Sequence, residues 1–321
     1  MHYDVFNGDA DGIIALLQLR LADPKPSHLV TGVKRDIQLL AQVAEQTDVT
    51  SATVLDISLD KNRSALISLL EQGVPTFYCD HHQSGEIPQS PYLTPLINLD
   101  SETCTSVLIN QHLKGQFQTW AIVGAFGDNM LKRAMALAKQ CCLSETQIEF
   151  LQELGTLINY NGYGASLEDL QIPPADLFQK LLNFADPFLL QQDSRSIFYS
   201  LRAGYQADHQ QLQALSPYQS TENIQIYLLP NAAWARRISG VFGNQLANQD
   251  PDKACAVVTL NPDEVSYTVS VRAPLTRREG ADEVCNQFVS GGGRRAAAGI
   301  NALPLEQLEL FIAAMDKRFR L

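Results

Sequence analysis

Over roughly the first 130 residues, short apolar runs alternate with segments whose apolar residues recur at spacings of three and four. Runs at 3–6, 28–33, 53–57, 76–79 and 96–99 read as strands, and 12–21, 37–46, 62–72 and 105–113 as helices. Strands separated by helices of this length imply βαβ units, so the pattern predicts an α/β fold built on a mostly parallel, doubly wound sheet. Right-handed crossovers bring the loops that follow the strands to one edge of that sheet. Open α/β sheets place their chemistry at this edge, so polar residues directly after an apolar run become candidates for function.

The pattern changes further along. Residues 134–142, 145–160 and 176–184 carry helical periodicity. Residues 186–223 are richer in Gln, Ser and Asp and include Pro187 and Pro217, which reads as a linker with some helix. A second α/β pattern begins at Ile224: a strand at 224–229, a helix at 234–246, and strands at 254–260 and 265–271. Asn261-Pro262-Asp263-Glu264 joins the last two as a hairpin turn. A helical stretch at 280–289, a Gly triplet, a strand near 298–302 and an amphipathic helix at 305–319 complete the chain. The expected division is a catalytic domain at 1–185, a linker at 186–223 and a smaller α/β domain with a mixed sheet at 224–321.

Charge narrows the partners. With 321 residues, a net charge of −11 and a pI near 5.0, the chain is poorly suited to long duplex DNA, which must be neutralised by many Lys and Arg. A small phosphorylated substrate held by a few local cations stays open. The six cysteines include no C-x-x-C pair and read as reduced thiols. No apolar run is long enough to cross a bilayer, and the start of the chain lacks a signal segment, so the expectation is a cytoplasmic protein without membrane contact. A homodimer stays open.

Four acidic clusters follow apolar runs. Asn7-Gly8-Asp9-Ala10-Asp11-Gly12 comes after the first. Asp9 and Asp11, two apart in a loop, can both be aimed past a strand end, although Asp is also a good helix N-cap. Asp56 closes the run at 53–55 and would be costly to bury without a partner. Asp80-His81-His82 follows the run at 75–79 and pairs a carboxylate with two imidazoles. Asp128 closes the apolar stretch at 121–127. Oxygen and imidazole donors without thiolates suit Mn²⁺ or Mg²⁺ better than zinc. The set is large enough for two ions roughly 3.5–4 Å apart, the spacing used in phosphoryl transfer.

Ser290-Gly291-Gly292-Gly293-Arg294-Arg295 forms a fifth cluster. Glycines let backbone amides approach an anion, and Arg294 and Arg295 add forked donors matched to phosphate. A flexible surface turn is the alternative. Arg272, at the end of the strand before it, is a further candidate for the same anion.

These residues, in this order, resemble the DHH phosphoesterase superfamily, which includes RecJ-like exonucleases, oligoribonucleases, cyclic-dinucleotide phosphodiesterases, exopolyphosphatases and family II pyrophosphatases. Asp9-Ala10-Asp11-Gly12 resembles the first motif, Asp56 the second, Asp80-His81-His82 the third and Asp128 the fourth. Residues 224–321 resemble the DHH-associated C-terminal domain, which implies substrate binding by Gly291, Gly292, Gly293, Arg294, Arg295 and Arg272. The resemblance implies that Asp9 binds one metal, Asp56 bridges two, and Asp11, His81 and Asp128 hold the second. His82 would touch the substrate phosphate or the nucleophile, with Asp80 orienting the histidines and Arg294 assisting catalysis. It implies hydrolysis of phosphodiester or phosphomonoester bonds in short oligonucleotides or small nucleotides. A catalytically weak nucleotide-binding protein and a polyphosphate or pyrophosphate hydrolase remain alternatives. Two departures stand out. Val5 occupies a position where many members carry a His ligand, leaving Asn7 as a weaker oxygen donor, and Arg294 stands where the family's glycine stretch usually continues with His.

Overall fold

The computed structural model describes residues 1–320. The chain forms two compact units, one of Met1–Gly162 with Ser166–Ala203, the other of Tyr163–Ala165 with the residues from Gly204 onward. In the first unit, β1 (His2–Phe6), α1 (Ala10–Ala22), β2 (His28–Val30), α2 (Leu40–Ala44), β3 (Ser51–Leu55), α3 (Leu59–Glu71), β4 (Thr76–Asp80) and β5 (Leu93–Ile97) alternate strand and helix except at the last step. The helices α4 (Thr105–His112), α5 (Gln118–Gly127), α6 (Leu131–Gln140), α7 (Glu145–Asn161), α8 (Pro174–Leu181) and α9 (Leu189–Gln192) follow, and α10 (Ile197–Leu212) runs from the first unit into the second.

The five strands are all parallel, in the order β2-β1-β3-β4-β5. Chain direction across the sheet reverses between β1 and β3, and an open sheet of this order leaves a crevice there, beyond the carboxyl ends of the strands. The loops after β1, β3 and β4 leave from that edge and carry Asp9, Asp56 and His81. Strand alternation assigns the two faces. Tyr3, Val5, Val54 and Tyr78 enter a core with Leu40 and Val43 of α2 and Leu66 and Leu69 of α3. Asp4 points the other way, to α1, where its Oδ2 accepts from Arg20 Nε at 2.8 Å. Burial pushes the Asp4 carboxyl up, but Arg20 and His2 outweigh it and hold the group at about 2.

Several expected elements shift. The strand expected at 28–33 ends at Val30, because Gly32 and Val33 turn around Asp36, whose Oδ2 accepts the Val33 N–H at 3.0 Å. The apolar stretch before Asp128 is the helix α5. Residues 186–223 hold α9, α10 and the short strand β6 (Gln219–Ser220).

The second unit continues with β7 (Ile224–Leu229), α11 (Ala233–Gln249), β8 (Ala254–Leu260), β9 (Ser266–Arg272), α12 (Ala281–Cys285), β10 (Gly291–Gly293), β11 (Ala297–Pro304) and α13 (Leu308–Phe319). Its six-stranded sheet runs β10-β11-β9-β8-β7-β6, with β7 and β8 parallel and the remaining pairs antiparallel. Ile226, Val258, Val269 and Ile300 pack with Phe311, Met315 and Phe319 of α13. The helix expected at 280–289 stops at Cys285, and the Gly triplet, which reads from sequence as a loop, is the edge strand β10.

Candidate metal centre

Asp9 is the N-cap of α1. Its backbone is extended and its Oδ1 accepts the N–H groups of Asp11 and Gly12 at 3.0 and 3.1 Å, satisfying two donors the helix leaves open. Its Oδ2 accepts from Lys34 Nζ at 2.5 Å. Burial pushes the Asp9 carboxyl up, but the Lys34 charge more than offsets this and holds it at about 2. Gly12 is required here, since a Cβ would lie 2.3 Å from the Asn7 carbonyl oxygen. The Oδ1 of Asn7 accepts the Asp9 N–H at 3.1 Å and its Nδ2 donates to the Lys34 carbonyl. Val5 is fully buried in the core.

Asp11 sits in the first turn of α1 and reaches a different helix. Its two oxygens accept the N–H groups of Ser106 and Thr105, the first residues of α4, at 2.8 and 2.7 Å. One carboxylate thereby caps a second helix N-terminus, where negative charge is favoured. Asp56 leaves β3 in a left-handed conformation, φ 60°, which Asp tolerates better than most residues. Its N–H extends the ladder to the Cys79 carbonyl, and its Oδ1 accepts from the Thr105 hydroxyl at 2.9 Å.

His81 follows β4, and its Nδ1 lies 3.0 Å from the Thr103 carbonyl oxygen. A carbonyl only accepts, so Nδ1 carries a hydrogen and Nε2 is the ring nitrogen left for a metal. That Nε2 faces Asp56 Oδ1 at 3.5 Å, and Asp11 Oδ2 and Asp128 Oδ2 at 3.8 Å. His82 packs edge-on against His81, and its Nδ1 bonds Asp80 Oδ1 at 2.7 Å. Asp128 caps the C-terminal end of α5, where the helix dipole disfavours a carboxylate.

Such a gathering of acceptors lacks internal compensation. The Oδ2 atoms of Asp80 and Asp128 are buried without a hydrogen-bond partner. Asp56 is pushed well above the usual carboxylate range, first by burial and then by the charges of Asp11, Asp9, Asp128 and Asp80. A divalent cation would answer both the orphaned Asp128 oxygen and the mutual repulsion. Among the described residues, two groups have ligand atoms within 4.8 Å of one another: Asp11, His81 and Asp128, and Asp56, His81 and His82. The donors are oxygen and imidazole. The thiols of Cys79 and Cys104 are pushed up by burial and by neighbouring carboxylates, which keeps them protonated and unsuited to zinc.

The structure therefore brings Asp11, Asp56, Asp80, His81, His82 and Asp128 together, with Asp9 beside them on Lys34. Sequence reasoning missed Lys34, Thr103 and Thr105. Thr103 and Thr105 flank the N-cap Cys104 at the start of α4, whereas no local pattern marks Lys34.

The fifth cluster belongs to the second unit. Gly291, Gly292 and Gly293 pair with Ile300, Gly299 and Ala298 of β11, and Arg294 and Arg295 are exposed in the turn that follows. Arg272, expected to face an anion, has its Nε on Asn244 Oδ1 at 2.7 Å and its Nη1 on Ser270 Oγ at 2.9 Å, so it holds its own unit together.

No protein-family model matches this sequence. No curated protein matches it either. Solved structures do. The exonuclease RecJ bound to manganese aligns over 100% of this chain and 90% of its own, with a TM-score of 0.64 at 17% identity. RecJ of Thermus thermophilus in complex with Mn²⁺ aligns over 98% of this chain and 51% of its own, with a TM-score of 0.58 at 18% identity. The pGpG-specific phosphodiesterase PggH of Vibrio cholerae aligns over 99% of both chains, with a TM-score of 0.52 at 12% identity. At these identities the likeness is one of fold alone.

Proposed function

We propose that this chain is a divalent-cation-dependent phosphoesterase that hydrolyses phosphodiester or phosphomonoester bonds of short oligonucleotides or small nucleotides. One observation carries the reading: the Nε2 of His81 and the carboxylates of Asp11, Asp56 and Asp128 converge at the switch point of a parallel sheet. RecJ and PggH, which share the fold, are described as an exonuclease and a phosphodiesterase. The RecJ structures contain Mn²⁺ or Mg²⁺, and the same ions suit the donors here.

Asp11, Asp56, His81 and Asp128 would hold the cation. Bound there, a divalent ion lowers the pKa of a water and offsets charge on phosphoryl oxygens. The protein supplies the rest. Asp80 fixes the His82 ring through Nδ1, which sets the tautomer and leaves Nε2 as the atom for proton exchange with substrate oxygens. Thr105 and the α4 amides hold Asp56 and Asp11 in place, so the donors are preorganised. Arg294 and Arg295 are the candidate phosphate-binding cations of the second unit. The net charge of −11 favours small substrates over long duplexes.

A second reading, a nucleotide-binding protein of weak activity, is favoured by Asp9, whose carboxylate is already engaged by Lys34. A hydrolysis screen with Mn²⁺ over dinucleotides, cyclic dinucleotides, adenosine bisphosphate and polyphosphate separates the two. Cation-dependent release of nucleotide product is the expected result, and binding without turnover across the panel would leave the weak binder.

A further inference from the structure

Two-ion phosphoryl transfer needs carboxylates free to serve both ions, and Asp9 is the residue expected to serve the first. Both of its carboxylate oxygens are already engaged. Oδ1 accepts two backbone N–H groups and Oδ2 accepts the Lys34 ammonium. Lys34 is not a passing surface cation. Its N–H donates to the Gly162 carbonyl at 2.8 Å, its carbonyl accepts from Asn7 Nδ2 at 3.2 Å, and its Nζ also donates to the buried Asn159 Oδ1 at 3.0 Å. Around it, Val5 is core and Asn7 Oδ1 already accepts the Asp9 N–H.

The remaining ligand groups describe one location. Both groups share His81, and neither includes Asp9. The His82 nitrogen that lies 3.9 Å from Asp56 is Nδ1, the atom already bonded to Asp80. We propose that the Lys34 ammonium permanently occupies the place of one of the two cations, so that the chain binds a single divalent ion through Asp11, Asp56, His81 and Asp128. The proposal rests on the cation-dependent reading above and narrows it. An ammonium is a compact single charge that is built into the chain. It keeps Asp9 paired at any metal concentration and leaves one exchangeable site.

The test uses the full chain, stripped with chelator and reloaded with Mn²⁺, and reads bound metal by elemental analysis after desalting and by electron paramagnetic resonance. The wild type is expected to hold one Mn²⁺ with the spectrum of an isolated ion. Lys34→Ala and Lys34→Met, with folding checked by circular dichroism, are expected to gain a second ion at the vacated Asp9 carboxylate. Asp9→Asn, which keeps the helix cap, is expected to stay at one. Two ions in the wild type, an exchange-coupled spectrum, or a fall from two to one in Asp9→Asn would overturn the proposal and leave the phosphoesterase reading standing. One ion in both Lys34 variants would overturn the assignment to Lys34. No bound ion in the wild type would overturn this proposal and the cation-dependent reading together.

Discussion

The Nδ1 of His81 is held 3.0 Å from the Thr103 carbonyl oxygen, and that single bond decides which ring nitrogen meets the carboxylates. With Nδ1 so engaged, Nε2 is the nitrogen that faces three carboxylates, an arrangement that favours a bound cation. Mn²⁺ at about 100 times its dissociation constant should raise the unfolding free energy of the wild type by about 2.7 kcal/mol. His81→Ala should lose most of that gain. Urea titrations with and without Mn²⁺ measure it, and an equal gain in the variant would remove His81 from the ligand set.

Asp56 gives the stability of the metal-free chain an unusual pH dependence. Burial and neighbouring carboxylates raise it well above its ordinary value, so it holds its proton more tightly folded than unfolded. That contribution is whole below the ordinary carboxylate range and is lost as pH rises through the raised value. Asp9 has the opposite sign: held at about 2, it stabilises above its ordinary value, and this is lost as pH falls toward 2. In chelator, the urea midpoint should therefore fall as pH rises above the ordinary carboxylate range. Saturating Mn²⁺ should flatten or reverse that slope, because cation binding replaces the Asp56 proton. A chelated protein whose stability rises over the same range would contradict the carboxylate cluster.

Asp11 and Asp128 face the same imidazole yet should respond differently to loss of charge. Asp11 accepts two α4 amides, so Asp11→Asn turns an NH₂ toward one of them and should cost about 1–3 kcal/mol without metal. Asp128 has a buried oxygen with no partner at a helix C-terminus. Asp128→Asn removes an unfavourable charge and should leave metal-free stability within about 0.5 kcal/mol or raise it. Both should abolish the Mn²⁺-dependent shift. Equal stability loss in the two variants would argue against the capping role of Asp11.

Much of this centre is legible in the sequence because each candidate closes an apolar run, and βαβ topology brings such ends to one edge. His81 and Asp56 follow that logic, since β3 and β4 are adjacent and parallel. The same logic also reaches Asp128 through its apolar stretch, although the stretch is a helix. What stays hidden depends on contacts between distant residues. Lys34 meets Asp9 across 25 positions and Asn159 across 125, and neither pairing leaves a local signature. Asp56 reads as a strand end, but its left-handed backbone is set by the ladder bond to Cys79 and the turn beyond. The Gly triplet reads as a loop because glycine is a poor strand former. At this edge, packing decides instead: a Cβ on Gly291 would fall 1.8 Å from the Cys285 carbonyl oxygen, and Gly293, at φ 142°, would place one 2.5 Å from Ala298 Cα.

Gly292 is the exception within that triplet and offers the sharpest test of the second unit. A Cβ there would meet nothing within 4 Å, so intramolecular packing does not require glycine. Gly292→Ala should leave the fold intact and can add about 0.4–1 kcal/mol by restricting the unfolded chain. If the glycine serves a ligand instead, by letting a phosphate approach the backbone beside Arg294, the same methyl will obstruct that approach. The expected outcome is unchanged or higher thermal stability with KM raised several-fold and kcat little affected, the signature of lost ground-state binding. Arg294→Ala should shift KM in the same direction. Unaltered KM in both variants would show that β10 and its turn do not touch the substrate.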